Sequence, residues 1–169
     1  MKIENKEMLL YSMNKAIEEA EKVMNERGND EEVYYRVGTA LHWIVDCFDR
    51  VKESGVTISD SDEKFKKALY AANNALKHCA ELFKLHKIAG GTRLPVRLPI
   101  RLLEVYYAWE NIDEINLRHL DQKENYKKLM EGKKISTTFE KAREIIKTYF
   151  EKDENTIGDG REDDCSRDL

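Results

Sequence analysis

Both prolines of this chain stand in one short stretch, at Pro95 and Pro99, and the rest of its 169 residues has none. Proline removes a backbone donor and clashes with the preceding helical turn, so long helices are unobstructed on either side of that stretch. The apolar spacing fills the room with helices. The first spans about Asn5 to Arg27, with Met8, Tyr11, Ile17, Ala20 and Met24 in a stripe and Gly28 as the expected C′ residue. Asn29 and Glu32 then form a capping pair for a second helix running to about Glu53 and ended by Ser54-Gly55. Val33, Val37, Ala40, Leu41, Ile44, Phe48 and Val51 share one of its faces. Asp60 with Glu63 reads as the next capping pair, opening a third helix whose stripe Phe65, Ala68, Leu69, Ala72, Leu76, Cys79 and Phe83 carries it to about Lys87.

From Gly90 to Arg101 the apolar period changes from helical to two. Leu94, Val96, Leu98 and Ile100 fall on one side, and Arg93, Pro95, Arg97, Pro99 and Arg101 on the other. Each proline pushes the residue before it toward extended geometry, and two missing donors argue against a central strand. The expectation is an extended segment crossing the bundle. A fourth helix then covers Leu102 to Leu117, with Tyr106, Tyr107 and Trp109. A short one follows over Gln122 to Glu131, ended by Gly132. A last helix, capped by Thr137 and Glu140, runs to about Lys152. The expected fold is therefore all-α, an antiparallel bundle of about four long helices with an extended Pro/Arg crossing segment and short additional helices. Residues 1–152 form its single domain. From Asp153 the chain is acidic and has little to bury, so residues 153–169 are expected to be a disordered tail.

Composition narrows the function classes. Hydrophobic residues make up 41% and charged residues 37%, and the formal net charge of −4 supplies no global field for nucleic acid or anionic lipid. Binding of that kind has to come from a local patch. The cysteines, Cys47, Cys79 and Cys165, are odd in number and form no CxxC, which fits a reducing compartment. No apolar run approaches the ~20 residues of a membrane span, and the N-terminus lacks a signal-peptide core. A cytoplasmic location is expected.

The first candidate for chemistry is Asn73-Asn74-Ala75-Leu76-Lys77-His78. On a helix Asn74 and His78 lie one turn apart, where an amide can fix an imidazole tautomer and the imidazole can exchange protons near neutral pH. The plainer interpretation is a polar pair satisfied at a helix–helix contact. The segment A-A-N-N-A-L-K-H, in the third helix of a small bundle, resembles the motif region of HEPN-type domains. That resemblance implies an all-helical, often dimeric protein, in a family with many ribonucleases of toxin–antitoxin and phage-defence systems. The family signature is Arg, then a polar residue such as Asn, with a His four to six positions after the Arg. Asn73 matches the polar residue and His78 the His, while Ala72 occupies the Arg position. In the family the Arg contacts the phosphate and the His assists attack by the 2′-hydroxyl. The departure at Ala72 therefore implies either a binding role or an arginine supplied from elsewhere. A second match to the spacing joins Arg36 and His42, with Val37 in the polar position. Six helical positions turn through about 240°, so those two side chains diverge unless the helix bends at Gly38.

The second candidate is the row Arg93, Arg97 and Arg101, each about 13 Å from the next in an extended chain. Tyr106 and Trp109 follow close behind. Guanidinium groups bind phosphate at two points and bases stack on aromatic rings, a combination suited to RNA or a nucleotide. Against it, three arginines among 33 Asp and Glu find partners easily, and aromatic residues are more often core. The third candidate is the face of Arg36, Trp43, Cys47 and Arg50 on the second helix, whose mix of arginine and tryptophan suits an interface. The expected partners are accordingly RNA or a nucleotide, or a partner protein, with a homodimer as the assembly and no membrane. No cofactor and no metal are expected, since His78 and Cys79 point about 100° apart on a helix and no Gly-rich phosphate loop precedes a helix. A protein blocking a larger machine through its helix faces alone is the remaining alternative.

Overall fold

The computed structural model describes residues 3–78, 82–90, 102–113 and 119–155. Within them the helical spacing forms five helices: α1 (Lys6–Glu26), α2 (Asp30–Ser54), α3 (Asp60–Leu76), α4 (Leu120–Leu129) and α5 (Ile135–Asn155). Four are long, as the periodicity requires, and the fold is mainly all-α. α1 runs antiparallel to α2 and to α5. Arg36 of α2 meets Glu19 of α1 while Cys47 meets Leu9, and Lys6 of α1 reaches the Phe150 carbonyl of α5. The inward faces of α2 and α3 are the stripes seen in the sequence, Val37, Leu41, Ile44 and Phe48 from α2 and Phe65, Leu69 and Ala72 from α3; α1 turns Ile17 and Ala20 inward together with Met13, while Met8 and Tyr11 of its expected stripe are exposed.

The helix ends show where local chemistry was legible. Asn29 accepts a hydrogen bond from the Glu32 N–H at 2.7 Å, and Gly55 ends α2 at φ 83°, where a Cβ would be strained. At α3 the cap is Ser59, one residue before the expected Asp60. Its hydroxyl takes the Asp62 N–H and donates to the Asp62 carboxylate, which also accepts from Tyr149. Thr137 caps nothing, because α5 already begins at Ile135 and Thr137 lies inside its first turn. At the other end α5 continues to Asn155, past the expected Lys152, because Asp153 is buried against the start of α1.

Two expected helical stretches are strands. α3 stops at Leu76, short of Lys87, and Phe83–Gly90 forms β1; Leu102–Trp109, expected as the fourth helix, forms β2. The two pair antiparallel, with Phe83 opposite Trp109 and His86 opposite Tyr106. Val, Tyr and Trp in β2 favour a pleated surface, and Phe83, Tyr107 and Trp109 share its inward face at period two. Aromatic edges seal that face to the bundle: Phe83 stacks on Tyr34 of α2 at 5.9 Å, Trp109 packs edge-on to Phe83 and to Phe139 of α5, and its indole N–H donates to Thr138 at 2.9 Å. The far edge of β2 is covered as well, since Ala108 bridges Lys134 and Trp109 exchanges backbone hydrogen bonds with Gly132 and Lys133. The arginine row and the Pro/Arg crossing segment, like Cys79, the second half of the expected fourth helix (114–117) and residues 156–169 of the acidic tail, lie outside the described residues.

Candidate functional site

The hairpin and the α2–α3 seam gather the polar and aromatic groups that face outward. On the hairpin, opposite residues of one face approach within ~5 Å at Cβ, so the His86 and Tyr106 rings meet. They lie nearly parallel, 13° apart with centroids at 5.8 Å. The Lys134 ammonium stands 4.7 Å from the Tyr106 centroid, held there by the bridge to Ala108. The His86 Nε2 lies 3.0 Å from Glu110 Oε1, and the His86 side chain keeps 43% of its surface exposed. Lys84, two residues before His86 on the same face, and Lys133 are exposed. The outer face thus carries an ammonium, a phenol ring and an imidazole in one stacked row, with Lys84 on the same face and the Glu110 carboxylate on His86.

Of the aromatic residues proposed for ligand contact, Tyr106 belongs to this outer face and Trp109 does not. Residues an odd number apart on a strand face opposite ways, and Trp109 is 1% exposed. It is a core side chain, and no base can stack on it.

The helical candidates separate in the same way. Asn74 turns toward α4 and donates to Gln122 at 3.3 Å. His78 is exposed beyond the end of α3, its N–H bonded to the Ala75 carbonyl, and not one turn along a continuing helix from Asn74. Asn73, about 100° around the helix from Asn74, lines a groove of about 390 Å³ between α2 and α3, together with His42 and Lys77. Arg36 points the other way. Its Nε bonds Glu32 at 2.7 Å and its Nη1 bonds Glu19 at 2.5 Å, and the hydrogen bond to Glu32 is the main reason its pKa is raised further. The divergence of Arg36 and His42 follows from six positions on an unbroken α2. Trp43 is half-buried against the core, Cys47 is buried with its Sγ 3.9 Å from the Leu9 carbonyl, and Arg50 pairs with Glu53. The face expected at an interface therefore carries contacts to α1 of the same chain.

Buried titratable groups offer little further chemistry. Burial pushes the Cys47 thiol up to about 12, so it stays a thiol at neutral pH and is a poor nucleophile. Burial and the hydrogen bond to Asp49 raise the Tyr70 phenol well above its usual range. Among the described residues no three His, Cys, Asp and Glu side chains gather as a metal site, and no helix is long and apolar enough to cross a membrane. Neither Lys134 nor the stacking of His86 on Tyr106 was singled out in the sequence, and Gly38 was named there only as a place where α2 could bend. The alternation of Phe83 and Leu85 with Lys84 and His86 was the one signal that would have found the stacked pair. No family model, curated protein or solved structure matches the chain.

Proposed function

We propose that this chain is an RNA-binding protein of HEPN-like helical build that holds single-stranded RNA on the outer face of its hairpin and does not cut it. The observation that carries the reading is the row Lys134, Tyr106 and His86 on the outward strand face, with Lys84 on the same face. Unpaired bases stack on such rings without sequence preference, and ammonium groups follow the backbone. Binding of this sort is local, which agrees with a chain whose net charge is −4. Cleavage is disfavoured because an attacking 2′-hydroxyl needs a base and a phosphate-binding cation together. Neither HEPN-like match supplies that pair, since Ala72 stands in one and Arg36 is tied to Glu19 and Glu32 in the other.

The test is fluorescence anisotropy with a labelled single-stranded RNA at low salt, with the RNA run on a gel afterwards. Wild type should bind, leave the RNA intact and weaken with salt. Tyr106→Ala should lose about 1–3 kcal/mol of affinity, the usual worth of one base stack. Equal binding by wild type and Tyr106→Ala sinks the reading. RNA cleavage that disappears in His78→Ala or His42→Ala would favour the ribonuclease alternative.

A further inference from the structure

The groove between α2 and α3 has a feature the fold does not need. Gly38 sits in the interior of a 25-residue helix, where glycine is among the worst residues for helix formation. Glycine usually stands there because a neighbour presses close or because φ is positive. Neither holds: a Cβ on Gly38 would meet nothing within 4 Å, and its φ is not among the positive ones. The empty space above it is the groove itself. Omitting a side chain at this position keeps that space open.

The walls fit one ligand chemistry. Tyr35 is 60% exposed at the edge, and Leu76 and the Tyr34 ring give an apolar floor. Tyr34 is fixed in place by donating to the Leu76 carbonyl at 2.7 Å and by stacking on Phe83. Asn73 offers an amide, which both donates and accepts, and Thr39 has an oxygen whose own proton goes to the Tyr35 carbonyl at 2.8 Å. Lys77 brings positive charge, and no carboxylate stands among the described residues that line the groove, although acids outnumber bases in the chain. A volume of about 390 Å³ is at the small end of ligand pockets, too small for a helix or a duplex.

We infer that this groove binds a nucleoside monophosphate: the base lies over Gly38 against Tyr35 and Leu76, Asn73 reads its edge, and Lys77 holds the phosphate. The site is separate from the hairpin face and does not depend on RNA binding there. AMP and UMP are titrated into the full chain and followed by calorimetry, with inorganic phosphate as a third ligand. At least one nucleotide should bind, and more tightly than phosphate. Gly38→Leu should weaken it about tenfold or more while melting no lower than wild type, because leucine is the better helix former and its Cβ meets nothing within 4 Å. Lys77→Ala, at an exposed position, should weaken it severalfold and spare the base contacts. Tyr106→Ala should leave it unchanged. The inference is overturned if neither nucleotide binds at millimolar concentration, if phosphate alone binds as well, or if Gly38→Leu and Lys77→Ala both bind as wild type does.

Discussion

At the scale of single residues, the end of α1 shows how one position of offset changes a side chain's role. The sequence points to Gly28 as the left-handed residue, yet Arg27 takes that conformation at φ 54°, and Gly28 follows it. The Gly28 N–H bonds the Val23 carbonyl at 2.9 Å and the Arg27 N–H bonds that of Met24, the paired closure of a Schellman turn. Glycine is still required at 28, for a different reason: a Cβ there would come within 2.6 Å of Val23 Cγ1. Arg27 meanwhile bears the cost of a left-handed backbone with a side chain attached. Arg27→Gly should therefore raise stability by about 1 kcal/mol, seen as a higher midpoint in urea. A midpoint unchanged or lower would mean the arginine side chain compensates for its own backbone.

At the scale of elements, the hairpin is the part that local sequence described wrongly, and Phe83 shows why. Leu76, Cys79 and Phe83 fit a helical stripe, but Phe83 and Leu85, alternating with Lys84 and His86, fit period two, and a window this short cannot separate the two. Long-range contact decides: Phe83 lies against Tyr34, Trp109 and Tyr107, residues brought from α2 and from the pairing strand. The Trp109 indole completes the attachment through Thr138, whose hydroxyl lies within α5 and is 2.9 Å away. Thr138→Val keeps the shape and removes that acceptor, leaving a buried N–H without a partner. It should cost about 1–3 kcal/mol in equilibrium unfolding. A loss well under that range would show that the hairpin is held by ring packing alone. Since Tyr106 and His86 are positioned by the same hairpin, the RNA binding proposed for them should weaken in this variant together with stability.

At the scale of the whole molecule, the start of α1 and the end of α5 are joined by Asp153. Its Oδ2 accepts from the Ile3 N–H at 3.2 Å and lies 3.3 Å from Lys6 Nζ, with both side chains nearly buried. Composition placed this residue in an acidic tail; the fold makes it the clasp between α5 and α1. Removing one member of a buried ionic pair leaves the other uncompensated. Asp153→Ala should cost about 3 kcal/mol, and ending the chain at Lys152 should cost about as much. Urea melts of the two variants should therefore coincide. If the shortened chain melted with wild type, the clasp would contribute nothing to the bundle.

Much of this architecture is written locally. The four long helices, the Asn29 cap and the Gly55 stop follow from periodicity, from a side-chain oxygen within reach of a free N–H, and from the one residue that tolerates positive φ. These causes act over a few residues, so a single sequence reveals them. The candidate sites are another matter. Asn73 was visible as a residue, but only the crossing of α2 and α3 brings it beside His42 and over the gap at Gly38. His86 meets Tyr106 only through strand pairing, and Arg36 meets Glu19 only through the packing of α1 on α2. Helical phase says which side of an element a residue occupies. Which element covers that side is settled by packing between segments far apart in the chain, and that is why the sequence determined the helices and only the tertiary structure decided the sites.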